Sequence, residues 1–124
     1  MTPIAERLFE LEDGVITLIG GFSPSSDNYH FPLLDTCPYS GARDVQRVLL
    51  SRHGALWAWT AVTAPPPGYR GEVPYGFGVV ELEREQLRVI TRLKEADPSR
   101  LSFGQAMTLV VDELDGGAVT WAFE

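Results

Sequence analysis

Apolar positions recur at two different spacings along the chain. Within residues 1–13, Ile4, Ala5, Leu8, Phe9 and Leu11 fall at a helical spacing, with Thr2 placed to cap, Pro3 at the first helical position and Gly14 past the end. This predicts a short amphipathic N-terminal helix, marginal alone and therefore docked on its own domain or on a partner. Residues 14–44 read as a small loop-rich module, with a strand at 15–19, a polar loop at 23–28, a second strand at 29–31 and a turn at 37–41. A module of that size buries little by itself and needs a metal, a disulfide or a neighbouring surface to hold it.

Residues 45–124 change to strand patterning. Strand-like runs occur at 45–51, 55–63, 77–83, 87–93, 106–114 and 118–123. Leu87, Val89, Thr91 and Leu93 alternate with Arg88, Ile90, Arg92 and Lys94, as half-buried strands require. Asp115-Gly116-Gly117 is a hairpin turn, and Asp97-Pro98-Ser99-Arg100-Leu101 a short helical stretch. The pattern predicts an all-β domain, a five-stranded Greek-key barrel of the OB-fold type, with a β-sandwich as the alternative. The connection at 64–76 is too long and too rich in proline for a tight hairpin. In OB folds the loop joining the first two strands borders the usual ligand face.

Composition narrows the function classes. A chain of 124 residues has room for one domain and excludes a two-domain enzyme. Its 17 acidic and 10 basic residues leave a net charge of -7, which repels the phosphates of nucleic acids and of anionic lipids. Cys37 is the single cysteine, so neither an intrachain disulfide nor a four-cysteine metal site is available. The N-terminus lacks a basic-then-apolar secretory pattern, and no apolar run approaches the ~18 to 20 residues of a membrane span, so a cytoplasmic protein without membrane contact is expected.

Several segments, in order and at matching separations, resemble a known family. They are Gly20-Gly21 with Tyr29-His30-Phe31-Pro32; Cys37-Pro38-Tyr39-Ser40-Gly41; Leu50 through Thr60 with its Trp57-Ala58-Trp59; Pro65-Pro66-Pro67-Gly68-Tyr69-Arg70; Val73-Pro74-Tyr75-Gly76; and Asp97 through Met107. The chain resembles the thiolase-associated zinc-ribbon and OB-fold proteins, also called domain of unknown function 35. That resemblance implies a rubredoxin-like zinc ribbon before the barrel, over residues 14–44, with the OB domain at 45–124. It also implies a non-catalytic accessory subunit in coenzyme A metabolism, partnering a thiolase, an acyltransferase or a MaoC-type acyl-CoA hydratase and helping to form its acyl-CoA channel. The family's ribbon holds zinc through two C-x2-C pairs, whereas the corresponding positions here are Ser23, Ser26, Cys37 and Ser40. A serine hydroxyl is a poor zinc ligand near neutral pH, so a degenerate, metal-free ribbon is expected. A site improvised from His30, Asp27, Asp35 and Cys37 is the weaker reading.

The remaining inventory does not mark an enzyme. Cys37 precedes a proline in the degenerate ribbon, and His53 sits at a turn entering the first barrel strand; both read as structural, with a thioester-cleaving enzyme as the third reading. Trp57 and Trp59 lie two apart on one strand and are expected on one face, either as core or as a platform for a partner or flat ligand. Arg88, Arg92 and Lys94 share a strand face, either solvated or gripping the phosphates of a coenzyme A thioester. Tyr69, Arg70 and Tyr75 complete the candidate ligand or partner contacts. The alternative function is an OB module stacking single-stranded nucleic acid, which the acidic balance opposes.

Overall fold

The computed structural model describes residues 2–3, 8–63 and 74–124. These form β1 (Thr2–Pro3), β2 (Phe9–Glu12), β3 (Val15–Ser23), β4 (Asn28–His30), β5 (Gln46–Leu49), β6 (His53–Val62), β7 (Tyr75–Leu82), β8 (Arg88–Leu93), β9 (Ala106–Glu113) and β10 (Ala118–Phe123), with single 3-10 turns at Pro98–Arg100 and Asp115–Gly117. None of the described helical turns is long and apolar enough to cross a membrane.

The barrel closes through one parallel contact. β6, β7 and β8 run antiparallel in sequence; Leu93 of β8 then pairs with Phe123 of β10; β10 pairs back on β9, and β9 returns to β6 at His53–Ala55. The resulting order, β6-β7-β8-β10-β9 and back to β6, is the OB-fold topology and rules out the sandwich. In β7, Gly76, Gly78, Val80 and Leu82 are buried while Phe77 is exposed and Tyr75, Val79 and Glu81 are half-buried. The inward glycines allow close approach: a Cβ on Gly76 would lie 2.1 Å from the Glu95 carbonyl oxygen, and one on Gly78 2.3 Å from that of Ala58.

A second, smaller sheet is built around β3, which pairs with β2, β4 and β5. Most of its buried apolar residues, among those described, pack with the barrel. Ile16 and Leu18 of β3, Phe9 of β2 and Leu50 join one cluster with Leu56, Val80, Leu82, Leu109 and Phe123 of the barrel. Phe9 and Phe31 stand edge-on to Trp121 of β10, with ring centroids 5.9 and 5.7 Å away. Arg52 ties the sheets together, donating from Nε to the Ile16 carbonyl at 2.9 Å and from Nη2 to that of Leu109 at 3.0 Å. Gln46–Leu49 pairs with β3, so the small sheet extends to the doorstep of the barrel.

The N-terminal helix is corrected over its described part. Phe9 and Leu11 fit a period of two as well as one of 3.6, because the run is short. The turn decides between them. Asp13 and Gly14 both take positive φ, 52° and 79°, which is the two-residue reversal that folds Phe9–Glu12 back on residues 15–18. Thr2 and Pro3 do not start a helix but pair with Ala118 and Val119 of β10; residues 4–7 lie outside the described residues.

Candidate functional site

The two tryptophans of β6 do not share a face. Leu56 pairs with Val80 and Ala58 with Val79, so Trp57 is the extra residue of a β-bulge. The bulge inverts the alternation: Trp57 lies outside, 42% exposed. Trp59, paired with inward Gly78, is half-buried against the core and donates its indole N–H to the Pro98 carbonyl at 3.1 Å.

The outward face of β6, β7 and β8 has an apolar centre. Cross-strand register aligns Ala58, Val79 and Ile90 in one row and Thr60, Phe77 and Arg92 in the next. Ile90 is 64% and Phe77 37% exposed. They border a shallow, apolar depression of about 230 Å³ together with Ala58 and Val79. Charged groups sit at its margins. Arg88 stacks over Trp57 at 4.1 Å from the ring centroid and approaches Glu81 through Nε at 3.4 Å. Arg92 lies 4.4 Å from the Tyr75 ring centroid and pairs with Asp112 at 2.8 Å; Lys94 meets the other oxygen of Asp112 at 3.2 Å.

Of the residues singled out from sequence, Trp57, Tyr75, Arg88, Arg92 and Lys94 are thus gathered on this face, while Trp59 borders the depression but packs against the core. Tyr69 and Arg70 lie outside the described residues. Sequence reasoning missed Phe77 and Ile90 as surface residues. Ile90 carried the signal, since it sits at the polar parity of β8 between Arg88 and Arg92.

The four ribbon positions do converge. Ser23 Oγ donates to Asp44 Oδ1 at 2.7 Å and lies 3.1 Å from Ser26 Oγ, which is in turn hydrogen-bonded to Ser40 Oγ. Asp44 Oδ2 accepts from the Ser25 N–H at 2.8 Å. The Ser23 hydroxyl and Ser25 N–H hold the Asp44 carboxyl down at about 2. Hydrogen bonds from the Ser40 hydroxyl, helped by the backbone of Tyr39 and Ser40 and by Ser26, hold the buried Cys37 thiol below its ordinary range against the effect of burial. Three neutral hydroxyls and one thiol do not fit zinc, which takes thiolate, imidazole or carboxylate donors. Among the described residues no three His, Cys, Asp or Glu side chains are grouped so as to hold a metal ion, His30, Asp27, Asp35 and Cys37 included. His30 is instead buried in the small sheet, where Nε2 accepts from the Leu34 N–H at 3.3 Å and Nδ1 has no partner.

His53 opens β6 on the rim of a cavity of about 390 Å³, with Nδ1 3.3 Å from Thr108 Oγ1. Glu81, Glu83, Gln86 and Met107 also line it, and no cysteine does. A nucleophile–base pair with Cys37 is not assembled there.

A closed OB barrel sharing its core with a small second sheet defines the class of protein, and the comparisons with known proteins agree with it. The model of the C-terminal OB-fold domain of ChsH2 matches residues 47–112. Over 99 residues the chain is 30% identical to a DUF35 domain-containing scaffold protein of Pyrococcus furiosus, covering 78% of this chain and 70% of that one. A DUF35 domain-containing scaffold protein of Methanocaldococcus jannaschii is 22% identical over 112 residues, covering 86% and 79%. The solved structure of an Ltp2-ChsH2(DUF35) aldolase superposes with a TM-score of 0.68 at 23% identity, over 86% of this chain and 83% of that one, a likeness of fold. The chain belongs to the DUF35 family, with an OB-fold domain of the ChsH2 type.

Proposed function

We propose that the chain is a non-catalytic accessory subunit of a thiolase-like acyl-CoA-processing complex. It docks on its catalytic partner, a thiolase, an acyltransferase or a MaoC-type hydratase, through the outward face of β6–β8, stabilises that enzyme and helps shape the acyl-CoA entry channel. The observation that carries this reading is the apolar centre of that face. Ile90, Phe77 and Trp57 present aliphatic and aromatic surface to solvent inside a margin of charged pairs, the arrangement of a protein interface core with its polar rim. The relatives' description as scaffold proteins supports it. In this reading Arg88, Arg92 and Lys94, with Tyr75 beside them, supply the contacts to a coenzyme A phosphate at the rim, guanidinium groups being suited to phosphate; Tyr69 and Arg70 belong to the adjoining connection in sequence.

The nucleic-acid alternative is opposed by charge. Arg88, Arg92 and Lys94 each face a carboxylate of this chain, and the net charge is -7, whereas stacking platforms for single strands sit in positive grooves. Affinity capture of the tagged chain from its own cells, read by mass spectrometry, tests the proposal. Recovery of an acyl-CoA enzyme at near-equal stoichiometry is expected; recovery of nucleic-acid enzymes alone, or of nothing, overturns it.

A further inference from the structure

The ribbon's two turns are built like metal-binding knuckles. Ser23 and Ser26 sit on one, closed by the Ser26 N–H to the Ser23 carbonyl at 3.2 Å. Cys37 and Ser40 sit on the other, closed by the Gly41 N–H to the Cys37 carbonyl and the Cys37 N–H to the Ala42 carbonyl, both at 2.8 Å. The side chains of the two knuckles meet, because Ser26 and Ser40 are hydrogen-bonded across the gap. Ser23 and Cys37 are buried behind them, 0% and 1% exposed. The four positions hold three hydroxyls and one thiol, a set that does not fit zinc, and side-chain hydrogen bonds join the two loops directly.

We propose that the hydroxyls of Ser23, Ser26 and Ser40, anchored on the Asp44 carboxylate and packed around the Cys37 thiol, form a hydrogen-bonded clasp that takes the mechanical place of a tetrahedral metal ion. The clasp is continuous: the Asp44 carboxylate accepts from Ser23 and from the Ser25 backbone, Ser23 contacts Ser26, Ser26 contacts Ser40, and Ser40 also accepts from the Ala42 N–H at 3.3 Å. Asp44 is the hub because it supplies the negative charge, and hydrogen bonds to an ionised acceptor are the stronger kind. The ribbon is then independent of metal supply, while its knuckles keep the geometry for an ion and lack only the donors.

Two experiments test this on the full chain. In the first, Asp44→Ala and Ser26→Ala are compared with the parent by hydrogen exchange. Amides of residues 23–26 and 37–42 are expected to exchange about tenfold faster while β6–β10 are unchanged; unchanged exchange in the ribbon of both variants overturns the clasp. In the second, S23C/S26C/S40C and the parent are titrated with cobalt(II). The triple variant is expected to take one ion per chain with the visible absorption of tetrahedral thiolate cobalt, and the parent none. A folded triple variant that takes no cobalt contradicts the knuckle geometry. A parent that binds cobalt with that absorption, or whose Tm falls on chelation, contradicts the claim that the clasp works without metal. Should the triple variant fail to fold, the exchange comparison alone decides.

Discussion

Arg88 lies over Trp57, its guanidinium carbon 4.1 Å from the ring centroid, on the side of the barrel wall opposite Trp59. Neighbours in sequence, the two tryptophans therefore do different work. Trp57→Ala removes an exposed cation–π contact and is expected to cost no more than about 1 kcal/mol. Trp59→Ala removes half-buried ring packing and a hydrogen bond to Pro98, at about 2–4 kcal/mol. Urea unfolding of both variants decides; equal costs would contradict the bulge at Trp57.

Gly21 faces His30 across β3 and β4, and a Cβ there would lie 2.3 Å from Nε2 and 2.8 Å from Val45 Cγ1. Gly21→Ala is expected to destabilise by about 1–3 kcal/mol through overpacking. Because the ring is the nearest obstacle, G21A/H30A should lose less than the sum of its single substitutions. Additive losses would place the clash elsewhere.

Acid is expected to loosen the small sheet in two stages. Burial lowers the His30 pKa from its ordinary 6.5. The unfolded chain therefore binds more protons below that value, so the His30 contribution is complete above pH 6.5 and falls as pH drops through the lowered value. Asp44, about 2 when folded against 3.8 ordinarily, contributes fully above pH 3.8 and is lost as pH falls through about 2. Stability measured from pH 8 to 2 should decline in both windows. His30→Gln should remove the upper decline and Asp44→Ala should reduce the lower, to which Glu85 and Asp97, also held below their ordinary values, contribute; a decline unaltered by either variant would refute the assignment.

Asp112 holds both Arg92 and Lys94 and is 14% exposed, whereas the Arg88–Glu81 pair stands 51% and 39% exposed. Asp112→Ala removes the carboxylate that a largely covered guanidinium faces and should cost about 1–3 kcal/mol. Glu81→Gln should cost at most about 1 kcal/mol, as exposed pairs do. The comparison is made by denaturant titration, and a reversed order would contradict the packing described.

The barrel was legible because its strands alternate. Val89, Thr91 and Leu93 face in and Arg88, Ile90 and Arg92 out, as the sequence pattern predicts. Two features escaped for physical reasons. Phe9–Glu12 satisfies helix and strand spacing at once, and only the left-handed conformations of Asp13 and Gly14 settle which forms. The Trp57 bulge adds one residue to one strand, and period-two counting does not see it, so Trp57 and Trp59 are expected on one face and the structure separates them. The convergence of Ser23, Ser26, Cys37 and Ser40 was foreshadowed by the resemblance, but the part played by Asp44 was not: it lies 21 residues from Ser23, and no local pattern links them.

An acyl-CoA enzyme docking on the outward face of β6–β8 is tested most directly by the amount of that enzyme retained when a carboxylate is introduced into the apolar centre of that face. Tagged Phe77→Asp and Ile90→Asp chains are compared with the parent, and with Val15→Asp at the exposed start of β3, by quantitative mass spectrometry of what each captures from its own cells. The parent and Val15→Asp are expected to retain the enzyme at near-equal stoichiometry, and the two face variants, folded as judged by circular dichroism, to lose most of it. Undiminished retention by both face variants would contradict the docking surface.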